Sequence, residues 1–308
     1  MQVRGLAMGT TYSIKYVERG DAASATVSGA IQKSLDDVDR LFSRYRPDSV
    51  VSEFNASQGT VEVGREFCRV LKDALQVAAA TDGAFDPTVL PLFLLYPFGD
   101  VVDRSRMPDD EAIRRALESV GFGKLEVGDT TVRKRVPGVM VDPNAFAKGY
   151  GVDRVASALR ESGHADFMVE IGGEVRCAGR KPDGSPWRIG IEGPGPDGGV
   201  AAVETVELVD CAIATSGDYR NFVEADGQRV HHVLDPRTGR NRARRVITAT
   251  VRAEDCAFAD AVATALMITG PDGIGLVRAA FPQRHIAVLM FVIGPDGAAE
   301  RVESGWQG

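Results

Sequence analysis

The stretch "VDPNAFAKGYGVDRVASAL", residues 141–159, sets one carboxylate, Asp142, and one ammonium, Lys148, on either side of a turn. Pro143 holds its own φ fixed and has no N–H to give, so the segment around it reads as a turn rather than regular structure. From Lys148 onward the pattern changes. Val152, Val155, Ala156 and Leu159 recur three and four apart, which predicts a helix with one apolar face. Gly149 and Gly151 sit at its start. The unpaired N–H groups and the positive end of that helix favour an anion, and Lys148 adds a full charge at the same end. A phosphate site and a plain surface lysine beside a helix entrance both fit this spacing.

Working outward, the N-terminal side is mostly helical. "TTYSIKYV" alternates as a half-buried strand does, and Val27, Ile31, Leu35, Val38 and Phe42 then recur at helical spacing. A second helix reads through "FCRVLKDALQVAAAT" and stops at Gly83; another runs from the Asp109/Asp110 cap to Gly121. Short strands are predicted at "KLEV", "TTVRKR" and "VMVD". Beyond the quoted stretch, strands follow one another at "DFMVEI", "WRIGIE", "VETVEL", "AIAT", "VHHVL" and "VITATVRA". Two helices near 255–268 and 272–281 and a strand "HIAVLMFVI" come last. Helices in one group and consecutive strands in another predict an α+β fold, largely antiparallel sheet with helices packed on it. No repeat or linker divides the chain, so residues 1–308 are expected to form a single domain, as one body or two closely joined lobes.

With 44% apolar and 26% charged residues the chain can bury a sizeable core. A net charge of -7 argues against nucleic acid or an anionic membrane surface, both of which need clustered Lys and Arg. Cys68, Cys177, Cys211 and Cys256 are scattered without a CxxC pair, as reduced, buried thiols would be. "MQVRGLAMGTTYSIKY" carries no secretory pattern, and "VLPLFLLYPF" and "IAVLMFVIG" fall short of the roughly 20 residues a membrane helix needs. A cytoplasmic protein with no membrane segment of its own is expected.

"GPGPDG" at 193–198 spells GxGxxG, but Pro194 and Pro196 each remove a backbone donor and no helix follows, so it reads as a turn between strands. "CAFADAVATALMITG" puts Asp260 and Thr264 at i and i+4, with both oxygens on one helix face. Two helical oxygens suit a hard cation such as Mg²⁺, which needs few protein ligands. In "VHHVLDPRTGR" successive strand residues face opposite sides, so His231 and His232 cannot both enter one site. "IGGEV" and "ATSGDYRNF" read either as turns or as backbone donors to a ligand.

Taken in order, "MGTTYSIKY", "FSRYRPDSVVSEFN", "TDGAFDPTVLPL", "VDPNAFAKGYGVDR", "EIGGEVRCAG", "ATSGDYRNF", "HHVLDPRTG" and "ADAVATAL" resemble the ApbE family of FAD:protein FMN transferases over nearly the whole length. The resemblance implies the ApbE-like, T-fold-like architecture and an enzyme that takes FAD as substrate with Mg²⁺ as cofactor. It implies that FMN is attached through a phosphoester to a Thr hydroxyl of an acceptor flavoprotein, with AMP released. Flavin positions fall on Met8, Tyr45, Ala84, Phe85, Asp86, Asp142, Lys148 and His232. Metal positions fall on the carbonyl of Ala145 and the side chains of Asp260 and Thr264. Asp260 acts in catalysis through the metal; His232 or a nearby carboxylate serves as base. With water as acceptor the same site is an FAD pyrophosphatase, and without chemistry it is a flavin-binding protein. One departure stands out: the family's Asp-Leu-Gly-Gly-x-Ala-Lys-Gly is here Asp-Pro-Asn-Ala-Phe-Ala-Lys-Gly. If a glycine there needs positive φ, Asn144 can adopt it more easily than Ala145.

Overall fold

A hairpin opens the chain in the computed structural model, which describes residues 1–18, 24–97, 106–195, 199–218, 222–225, 228–241 and 245–307. Strands β1 (Gln2–Ala7) and β2 (Thr10–Tyr16) pair antiparallel around Met8 and Gly9, both with positive φ, as a right-twisted hairpin requires. Helix α1 (Ser24–Phe42) buries Val27, Ile31, Leu35, Val38 and Phe42, the face its periodicity predicts. Helix α2 (Val50–Ala56), capped by the Ser49 hydroxyl, is too short to leave a readable period. Then come β3 (Thr60–Glu62), α3 (Arg65–Ala80), α4 (Leu90–Phe93), α5 (Asp110–Leu117, capped by Asp109), β4 (Leu125–Val127) and β5 (Thr131–Lys134).

The strand expected at "VMVD" does not form. Asn55 takes up the backbone of Val141 with both ends of its amide, accepting from the N–H (2.7 Å) and donating to the carbonyl (2.9 Å). With those groups used by a side chain, no strand neighbour can pair there. Asp142 N–H is donated to the Pro87 carbonyl at 2.7 Å. A 3₁₀ turn, Pro143–Ala145, follows, with the Asp142 carboxylate accepting from Asn144 N–H at 3.1 Å. Asn144 does not take positive φ. Proline at the start and an aspartate cap build the turn with right-handed residues, so no glycine is needed.

Helix α6 (Ala147–Glu161) leads to β6 (Phe167–Ile171) and β7 (Glu174–Ala178), joined by Gly172 and Gly173, both at positive φ. "IGGEV" is therefore a hairpin turn, and it delivers Glu174 as the first residue of β7. Strands β8 (Trp187–Pro194) and β9 (Val200–Leu208) pair across the proline-rich turn, of which residues 196–198 lie outside the described residues. The remaining elements are β10 (Cys211–Gly217), β11 (Phe222–Ala225), β12 (Gln228–His231), β13 (Val246–Ala253), α7 (Cys256–Thr269), α8 (Asp272–Ala280), β14 (Ala287–Ile293) and β15 (Ala299–Ser304).

The main sheet is antiparallel throughout, in the order β1-β2-β6-β7-β10-β13-β14-β15. Both its faces are covered. Ala212, Ala214, Ala249 and Val251 face α6 and α7, while Ile213, Ile247, Leu289 and Phe291 pack with Trp187, Val206 and Leu208 of the β8–β9 ribbon. The alanines leave room for α7 to lie close on the sheet, and α7 is apolar nearly all round because it is buried nearly all round. All four cysteines are free thiols, three of them buried. Among the described residues no helix is long and apolar enough to cross a membrane.

Candidate functional site

Close approach of α6 to α7 creates the site's centre. A Cβ on Gly149 would stand 2.4 Å from the carbonyl oxygen of Cys256, so only glycine lets the two helices meet there. At this contact Gly149 N–H donates to Oδ2 of Asp260 at 3.1 Å. Asp260 is 3% exposed. Burial pushes its carboxyl up to about 7; neighbouring Glu174 adds to the rise, and Lys148 and the Gly149 N–H oppose it. One turn along α7, Thr264 lies with its hydroxyl 3.3 Å from that of Ser216 on β10. The 3₁₀ turn that holds Ala145 packs against α7.

Lys148, in the first turn of α6, forms an ion pair with Glu174. Glu174 is buried, and its Oε2 has no hydrogen-bond partner. Two buried carboxylates, Glu174 and Asp260, thus lie within electrostatic reach of one partly exposed ammonium, which is paired with Glu174. Such an arrangement favours a cation. Sequence reading did not single out Glu174; the available signal was a charged residue directly after a two-glycine turn.

A second group of expected residues lies around Asp142. Asp142 is buried, which raises its carboxyl pKa, and Arg44 opposes that rise from 3.9 Å. Arg44 stands over the ring of Tyr45, which is 78% exposed. The Asp142 N–H to Pro87 bond ties this group to the segment Ala84–Phe85–Asp86. Ala84 and Phe85 are buried; Asp86 accepts from Thr88 N–H (2.8 Å), Thr88 hydroxyl (2.6 Å) and Phe122 N–H (2.7 Å). Its carboxylate therefore organises the loop, and burial raises its pKa. Met8 is half-buried, and its sulfur lies against Gly151 of α6. His231 ends β12, its carbonyl accepting from Asn241 at 2.7 Å, and half-buried His232 comes next in the chain. Gly83, which precedes the Ala84–Asp86 segment, lies against Arg237 of the turn that follows His232.

Among the described residues no group of three His, Cys, Asp or Glu side chains is placed to hold a metal ion. The Asp260 centre offers a different donor set: one carboxylate, the Thr264 hydroxyl one turn along α7, and the backbone carbonyls of the 3₁₀ turn packed against α7. All are oxygens, and a hard cation such as Mg²⁺ accepts few of these while keeping waters. The unpaired Glu174 oxygen points the same way. The residues fit a cation of this kind. Two cavities of about 560 and 390 Å³ lie elsewhere, with neither Asp142, Lys148 nor Asp260 in their walls.

The sequence pattern of the ApbE family matches residues 8–290. An FAD:protein FMN transferase of Vibrio cholerae is 40% identical over 311 residues, covering 100% of this chain and 92% of that protein. Another FAD:protein FMN transferase, from Haemophilus influenzae, is 35% identical over 316 residues, covering 100% and 90%. The solved structure of a flavin transferase ApbE from Vibrio cholerae superposes with a TM-score of 0.89 at 39% identity, covering 99% of this chain and 96% of that one.

Proposed function

Because the chain belongs to the ApbE family, we propose that it transfers the FMN half of FAD to a Thr hydroxyl of a partner flavoprotein, forming a phosphoester and releasing AMP. The reading takes residues 1–308 as one flavin-transferase domain. Its main support is the junction at which Gly149 N–H meets Asp260 beside Lys148. A carboxylate can face a pyrophosphate only with a cation between them, and the unpartnered Glu174 oxygen nearby suits one.

Mg²⁺ held by Asp260, Thr264 and the Ala145 carbonyl would neutralise pyrophosphate charge and stabilise the departing AMP. Lys148 and the start of α6 bind phosphate oxygens, and Glu174 keeps the Lys148 ammonium at that end of the helix. Met8, Tyr45, the Ala84–Asp86 backbone, Asp142 and His232 bind and orient the rest of FAD. His232 or a nearby carboxylate accepts the proton of the acceptor hydroxyl. The Thr oxygen forms its bond to the FMN phosphorus as the phosphorus–oxygen bond to AMP breaks. Positioning and charge neutralisation provide most of the rate, as expected for phosphoryl transfer.

The test is to incubate the protein with FAD, Mg²⁺ and a candidate acceptor domain and to follow acceptor mass and free AMP together. Labelled acceptor with equal AMP is expected. AMP without labelled acceptor would make the protein an FAD pyrophosphatase, and neither product would leave a flavin binder.

A further inference from the structure

Arg44 follows α1, and its side chain is only 8% exposed. Its Nη1 is buried without a hydrogen-bond partner. Leaving such a donor unsatisfied is costly, and native proteins rarely do so without reason. The nearest carboxylate oxygen, Oδ2 of Asp142, stands 3.9 Å away, close enough for attraction but too far for a hydrogen bond. The other Asp142 oxygen accepts from Asn144 N–H. The guanidinium lies over two rings, 4.9 Å from the centre of Phe93 and 5.2 Å from that of Tyr45.

A buried donor thus stands beside an acceptor, next to an aromatic ring open to solvent. The complementary ligand is a flat ring edge that carries an acceptor next to an N–H donor and can lie against Tyr45. Both rings of FAD carry such edges, the imide of the isoalloxazine and the N1/N6 and N6/N7 edges of adenine. We propose that Arg44 is a specificity-determining residue that reads one of these edges, donating from Nη1 to a ring oxygen or nitrogen while Asp142 accepts the neighbouring ring N–H. The inference rests on FAD being the substrate, and it assigns a role to a side chain to which the family resemblance gave none.

The experiment measures binding of FAD, riboflavin and AMP, each alone, to the full chain and to its Arg44→Met and Arg44→Lys variants. Arg44→Met is expected to lose about tenfold or more in FAD affinity, the value of one charged hydrogen bond. Riboflavin and not AMP will carry that loss if the imide is read, and AMP and not riboflavin if adenine is read. Arg44→Lys keeps the charge without the planar fork and is expected to lose part of the affinity. Unchanged FAD affinity in Arg44→Met, or equal weakening of both fragments, overturns the assignment. Should Arg44→Met fail to fold by circular dichroism, Arg44→Lys decides: wild-type affinity overturns the assignment. Absence of FAD binding by the wild-type chain removes the transferase reading as well, whereas normal binding in the variants removes the Arg44 role alone.

Discussion

Replacing Asp260 by Asn should make the metal-free protein more stable while removing its activity. The amide has nearly the shape of the carboxylate and keeps an oxygen to accept from Gly149 N–H, so the hydrogen bond of 3.1 Å survives. What disappears is the cost of a buried charge. The Asp260 carboxyl is raised from an ordinary 3.8 to about 7, chiefly by burial. At about 1.4 kcal/mol per pH unit, that rise caps the cost of holding it ionised at about 4 kcal/mol. Relaxation of the surroundings lowers the figure, and a gain of about 1–3 kcal/mol is expected. The sign follows from proton binding. The folded chain holds this proton more tightly than the unfolded chain does, so wild-type stability falls as pH rises from near 3.8 toward 7. Asp260→Asn escapes that fall. Urea unfolding with EDTA present should therefore show a gain for the variant that is larger at pH 8 than at pH 5. Added Mg²⁺ should stabilise the wild type and leave the variant unchanged. A gain independent of pH, or a loss that grows with pH, would refute the reasoning.

Gly149→Ala should force α6 from α7, because the new methyl would stand 2.4 Å from the Cys256 carbonyl oxygen; a loss of about 1–3 kcal/mol in urea unfolding is expected, together with lost transfer. Lys148→Met should leave Glu174 buried and unpaired and lower stability by about 1–3 kcal/mol, less than a fully enclosed pair since Lys148 is partly exposed. The double variant Lys148→Met/Glu174→Gln should recover part of that loss in a double-mutant cycle while remaining inactive. Excess EDTA should stop FMN transfer by the wild type, and Mg²⁺ should restore it, read from acceptor mass.

Local pattern was enough for the elements that carry the site. The three- and four-residue spacing of Val152, Val155, Ala156 and Leu159 marks α6, and the Asp260–Thr264 spacing puts two oxygens on one face of α7. Contacts between distant segments were closed to such reading. Glu174 meets Lys148 only because β7 lies beside the start of α6, and Arg44 meets Asp142 across 98 positions of chain. β7 itself went unread because "EVRCA" has neither the alternation of a one-sided strand nor an unbroken apolar run. "VMVD" failed for the opposite reason: its residues favour a strand, but Asn55 had already taken the backbone. No single segment encodes the order of the eight-stranded sheet, which pairs strands far apart in the sequence.

The central claim is group transfer at the Asp260 centre, and intact-mass analysis of a Thr-bearing acceptor domain tests it most directly. With FAD, Mg²⁺ and wild-type protein, the acceptor should gain the mass of one FMN less one water, and Asp260→Ala should give no gain. An unchanged acceptor with the wild type, or near-normal labelling by Asp260→Ala, would contradict the account.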